Sequence, residues 1–198
     1  PIQISEKQIC WLKATFRGPG GHGALPVRGG AMAKLSRFLQ QIDKRRLPVH
    51  ITPPAQLTFR AMASALGGIN GLVLGQLINP RLTDRVLDLL GERGQLFDPL
   101  LHNTVSPTIV HASNKINVIP SEVSIELDCR LLPGLQPDDL IGEIHQIAGD
   151  SIEIDVIRYD RGPAEPDMRL FNTLAAILKE ADPDGTPIPL LLSAVTDG

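Results

Sequence analysis

The stretch SEVSIELDCRL, Ser121 to Leu131, decides the fold of this 198-residue chain. Val123, Ile125, Leu127, Cys129 and Leu131 alternate with Ser124, Glu126, Asp128 and Arg130, which is the period of two of a strand with one buried and one wet face. Downstream, Pro133-Gly134 stops the strand. Pro137-Asp138-Asp139 then opens a helix with Leu140, Ile141, Ile144 and Ile147 on one stripe and its carboxylates in the first turn, where the macrodipole favours them. IEIDVIR, Ile152 to Arg158, follows as another strand.

The same reading extends upstream. TVSPTIVHAS, Thr104 to Ser113, is β-branched, and Pro107 confines it to a sheet margin because proline donates nothing to a ladder. ICWLKATF, Ile9 to Phe16, alternates again. Gly30 to Arg45 carries Met32, Leu35, Phe38, Leu39 and Ile42 at helical spacing. The order is β-α-β-β-α-β, and the fold class expected is α+β: a ferredoxin-like, four-stranded antiparallel sheet with two helices on one face. Residues Pro53 to Asn103 interrupt it as a helical insertion, with helices expected near Gly71 to Leu77 and Arg81 to Leu90. After Tyr159, the polar linker DRGPAEPD, a helix from about Met168 to Ala181 and the apolar run PIPLLLSAV read as part of a neighbouring domain. The expected division is 1–159 and 160–198, and a chain running from Pro1 to TDG is expected to be a piece of a longer protein.

Composition narrows the function. A net charge of −3 and seven aromatic residues not interleaved with Lys or Arg give no nucleic-acid footprint. No apolar run reaches the roughly 20 residues that span a bilayer. Cys10 and Cys129 lack CxxC spacing, which suits a reducing compartment, so a cytoplasmic location is expected. Both point to the buried face and read as small core residues.

Among His22, His50, His102, His111 and His145 no pair has metal-ligand spacing, and no GxSxG elbow is present. Three residues stand out. His22 lies in RGPGGHGALP, where glycines give the backbone access to conformations closed to other residues. Asn117 precedes a Val-Ile-Pro turn, and Arg130 stands on the polar face of its strand thirteen positions later; the two could reach one bound anion or carbonyl. The bland alternatives are a surface histidine, an Asx-turn former and an arginine paired with Asp128.

RGPGGHGALP, TVSPTIVHASNKINVIPSEVSIELDCRLLPG and the terminal TDG, in that order, resemble the M20 metallopeptidases, a family of peptidases, aminoacylases and deacylases. The resemblance implies that residues 1–159 are a lid or dimerisation domain inserted into a catalytic domain that holds two zinc ions outside this segment, so the segment alone is expected to be inactive. It implies a homodimer, expected to pair through the strand near Thr108 to His111 and the first helix. It further implies that His22 stabilises an oxyanion in the partner's active site, that Asn117 and Arg130 bind the polar end of a peptide or small-molecule substrate, commonly a carboxylate, and that Thr196 and Asp197 begin a substrate-side loop. Ser113-Asn114 stand where the family commonly has Gly-Gly; asparagine tolerates the left-handed conformation such a turn could use. The competing expectation is a non-catalytic ferredoxin-like module that dimerises or binds a small effector.

Overall fold

A computed structural model describes residues 1–194. Thr196 and Asp197 lie outside the described residues. The chain is mixed α/β, with a four-stranded antiparallel sheet and seven α-helices among the described residues. In chain order these are β1 (Ile2–Glu6), β2 (Gln8–Arg17), β3 (Gly21–His22), α1 (Ala31–Lys44), α2 (Pro53–Leu66), α3 (Gly68–Gly75), α4 (Thr83–Leu90), α5 (Glu92–Phe97), β4 (Thr104–His111), β5 (Val118–Ile119), β6 (Glu122–Leu131), α6 (Pro137–Ala148), β7 (Glu153–Asp160), α7 (Phe171–Ala181) and β8 (Pro189–Leu192).

The main sheet runs β4-β6-β2-β7, every neighbouring pair antiparallel. β6, the strand with the cleanest alternation, is an inner strand, and β4, which carries Pro107, is at the margin. The period of two sends Cys10, Leu12, Ala14 and Phe16 from β2 and Val123, Ile125, Leu127, Cys129 and Leu131 from β6 into one core. Leu35 and Phe38 of α1 and Leu140 and Ile144 of α6 pack into that same core, so both helices cover one side of the sheet. Cys10 and Cys129 face each other in register, both fully buried. Burial pushes the Cys10 thiol up to about 11 and Cys129 upward too, as for two inert core residues.

Two parts differ from the expectation. The insertion holds four α-helices, not two. α2 begins at Pro53-Pro54, which reads as a breaker but is tolerated in a first turn, where the missing N–H has no intrahelical partner anyway. α5 is a six-residue helix closed by a 3₁₀ turn. The second difference is β1, which pairs in parallel with β8 in a separate two-stranded sheet, Ile2 opposite Pro189 and Glu6 opposite Leu192. The first strand of the chain therefore groups with the C-terminal segment. The insertion packs against this pair: Phe59, Leu74, Leu77 and Leu87 share a second core with Leu191, and the Leu191 N–H donates to Thr58 Oγ1 at 2.9 Å.

Candidate functional site

β2 leaves the sheet at Arg17, and the chain then crosses RGPGGHG to reach the loop that precedes β6. There β3 and β5 form a two-residue antiparallel ladder, with Gly21 opposite Ile119 and His22 opposite Val118. The Gly23 N–H donates to the Asn117 carbonyl at 2.8 Å and the Gly18 N–H to the Ser121 carbonyl at 2.8 Å. His22 and Asn117, ninety-five positions apart, thus sit side by side at one end of the sheet, the tip.

The glycines work by close approach. None of Gly18, Gly20, Gly21 or Gly23 has a positive φ, which corrects the expectation that they supply forbidden conformations. A Cβ on Gly18 would lie 2.7 Å from the Ala31 nitrogen, and one on Gly20 would lie 3.0 Å from the Ile119 oxygen. A side chain at either place would push the loops apart. Asn114 is not left-handed either: among the described residues positive φ values occur only at glycines. The turn before β5 is held instead by Ser113, whose Oγ accepts from the Lys115 N–H at 3.1 Å, and by a bond from the Val118 N–H to the Lys115 carbonyl.

His22 is exposed, and its Nδ1 accepts a hydrogen bond from the Ala24 N–H at 3.2 Å. In the neutral ring that contact places the proton on Nε2 and leaves a donor facing outward. Asn117 is exposed as well.

Arg130 is elsewhere. It stands opposite Ile9 and Thr104 at the far end of β6 from the tip. The eight residue steps from Glu122 to Arg130 span about 27 Å at strand rise. Within one protomer, Asn117 and Arg130 therefore do not reach one anion, which overturns that expectation. The guanidinium forks onto Asp128 two residues earlier, Nε at 2.9 Å and a terminal nitrogen at 3.0 Å, and remains 27% exposed.

Around Arg130 the structure is dense and polar, and none of this was legible in motifs. Lys7, between β1 and β2, is only 1% exposed. Its Nζ donates to the His102 carbonyl at 2.9 Å and to Thr104 Oγ1 at 3.2 Å. Burial pulls the ammonium down to about 7, against the opposing pull of Asp98 and with help from the positive charge of Arg130. Asn103 donates to both oxygens of Glu143 at 3.1 and 3.0 Å and accepts from the Leu132 N–H at 2.9 Å. Glu143 also meets His50, and His102 lies between Asp98 and Asp84 at 2.7 and 3.1 Å. This base fastens the β1–β2 junction, the end of the insertion and the start of β4 to one another. The signal in the sequence was a run of ordinary polar residues, HNT, whose meaning depends in part on a contact ninety-five positions away.

Among the described residues no group of three or more His, Cys, Asp or Glu could hold a metal ion. No helix among them is long and apolar enough to cross a membrane.

The described residues form a two-layer domain with a glycine-built tip carrying His22 and Asn117, and comparison with known proteins gives its class. The M20 peptidase dimerisation domain matches residues 4–155, and the chain belongs to that family. It is 25% identical over 201 aligned positions to a probable carboxypeptidase S-like 2 protein of Dictyostelium discoideum, covering 99% of this chain and 38% of that one. It is 23% identical over 163 positions to an uncharacterized metallohydrolase of Methanococcus maripaludis, covering 80% of this chain and 30% of that one. Among solved structures it is similar in fold to human carnosine dipeptidase 1, with a TM-score of 0.56, 12% identity and coverage of 98% of this chain and 45% of that one. The chain thus spans less than half the length of these proteins.

Proposed function

We propose that this chain is the lid and dimerisation part of an M20-type amide hydrolase, with the tip of each protomer serving the active site of its partner and Arg130 serving its own. The order β4-β6-β2-β7 supports reading the sheet as the ferredoxin-like split βαβ arrangement. β1 and the segment after β7 are read as the two crossings into a catalytic domain. The carrying observation is the separation of His22 and Asn117 from Arg130 along β6. Residues that far apart at opposite ends of one sheet complete a common site most simply when two copies of the chain contribute. The exposed margin at β4 is where such copies would pair, because an edge strand presents unpaired backbone groups that a two-fold contact satisfies.

In this reading the substrate is a peptide or N-acylated small molecule with a carboxylate. Arg130 holds that carboxylate through its planar fork, exchanging part of its contact with Asp128 for the substrate. When the amide carbonyl is attacked, charge grows on its oxygen. The His22 Nε2–H, its tautomer fixed by Ala24, donates to that oxygen, and Asn117 beside it supplies further polar contact. The relative described as a metallohydrolase suggests a metal cofactor. In this reading the metal is zinc, held by residues outside the described ones. A cytoplasmic setting, suggested by cysteine usage, belongs to the same reading.

The test is made in the full-length protein, with N-acyl amino acids and dipeptides as substrates. His22→Ala is expected to lower kcat with metal content and dimer mass unchanged. Wild-type turnover in that variant would refute the role of the tip.

A further inference from the structure

We infer that the groove between α1 and the start of β7 binds a small organic carboxylate that carries a hydrogen-bond donor and an apolar body, a compound of the size and chemistry of a free amino acid. The groove has a volume of about 310 Å³, at the small end of the range for ligand pockets and ample for such a molecule. It lies on the helix-covered side of the sheet, beside Thr15 and Arg17 of β2. Arg17 is eight residues along β2 from Ile9, the residue opposite Arg130, so about 27 Å of strand separates it from the carboxylate site proposed above.

Three features converge there. The floor is apolar: Phe16, Phe38 and Ile152 are buried, and the two rings meet at 5.3 Å between centroids. The rim is cationic. Lys34 and Arg37 stand one helical turn apart on α1, on the side that faces the groove. Lys34 Nζ donates to the Arg17 carbonyl at 2.7 Å and keeps two protons free, while the Arg37 guanidinium makes no ion pair or hydrogen bond among the described residues. The one carboxylate in the lining, Glu153, is bonded to Arg17. The rim therefore has uncommitted positive charge with a planar fork in it, the group best matched to a carboxylate.

The third feature selects within the anions. Gln41, one turn beyond Arg37, lines the groove and has its Oε1 buried with no hydrogen-bond partner among the described residues; in this proposal its side chain turns toward the groove to meet the ligand. A buried acceptor left unpaired is rare and costly, and a ligand N–H or O–H would satisfy it. Inorganic phosphate would meet the cations and could offer its O–H to the acceptor, but it leaves the apolar floor uncovered. An amino acid meets all three: carboxylate on Arg37 and Lys34, ammonium on Gln41, side chain over Phe16 and Phe38.

Equilibrium dialysis of the full-length protein tests this with L-leucine, with 4-methylpentanoate, which keeps the carboxylate and the branch but lacks the amine, and with inorganic phosphate. An Arg130→Ala background removes the carboxylate site proposed for catalysis, so the two sites fail independently. L-leucine is expected to bind saturably, one per chain, more tightly than 4-methylpentanoate. Arg37→Glu, or Arg37→Gln if the charge reversal unfolds the protein, is expected to weaken leucine about tenfold or more, the loss typical of a charge-assisted bond. Gln41→Leu is expected to abolish the preference for leucine over its amine-free analogue. No saturable leucine binding, leucine binding indifferent to Arg37, or phosphate binding in preference to leucine would each overturn the assignment.

Discussion

The tip and the base of this domain use polar residues in opposite ways. At the tip, His22 and Asn117 are exposed, the ladder that holds them is two residues long, and glycines bring the two loops into contact. At the base, Lys7, His102, Asn103 and Glu143 are buried and bonded to one another or to backbone carbonyls. The tip contributes little apolar burial and its side chains are free to meet something outside the chain. The base satisfies itself. Exposed polar residues on a preset backbone are thus the candidates for chemistry, and buried ones the candidates for stability.

That contrast predicts which property each substitution changes. The largest effect is expected at His22: in the intact enzyme His22→Ala should lower kcat about 100-fold to 1,000-fold, roughly 2.7 to 4 kcal/mol, with the unfolding midpoint unchanged. At Asn103 the pattern should invert. Asn103→Ala strips two bonds from the buried Glu143 carboxylate and leaves the Leu132 N–H unsatisfied, at a cost of about 3 kcal/mol in denaturant unfolding and little in kcat. A large kcat loss at Asn103 with stability intact would break the division.

Gly18→Ala should fall between the two. Its Cβ would meet the Ala31 backbone, costing about 1 to 3 kcal/mol of stability, and the displaced tip should carry kcat down with it. Arg130→Ala is expected to act on KM more than on kcat, since a carboxylate held equally in ground and transition states contributes uniform binding.

The last expected effect is a pH slope. Lys7 has its pKa lowered from its ordinary 10.5 to about 7, so between those values the unfolded chain carries a proton there that the folded chain does not. Its contribution makes stability rise with pH across that window, by at most about 1.4 kcal/mol per unit, and leaves it flat below about 7. Denaturant unfolding of wild type and Lys7→Met from pH 6 to 9.5 should show the two diverge only above about pH 7. Parallel curves would mean that the Lys7 ammonium stays charged in the folded state.

Much of this architecture is legible in the sequence because alternation is a strong signal. β2, β6 and α6 announce themselves by period, and Pro107 marks β4 as marginal. β1 is only five residues long and takes its meaning from β8, some 185 positions away, so no local pattern could assign it. α2 was hidden by the prolines that begin it. His22, Asn117 and Arg130 could be picked out by type and motif, but their separation could not: thirteen positions look close until nine of them are a strand. The base network had no motif at all, because a buried lysine and a surface lysine are the same letter.

The central claim is that the tip acts in trans and Arg130 in cis, and subunit mixing tests it most directly. His22→Ala and Arg130→Ala chains, each weakly active alone when substrate is held well below KM, are mixed under conditions of proven exchange. A mixed dimer then holds one site with both defects and one with neither, so a statistical mixture should recover about a quarter of wild-type activity. No recovery despite exchange would place His22 and Arg130 on the same side of the dimer and contradict the account.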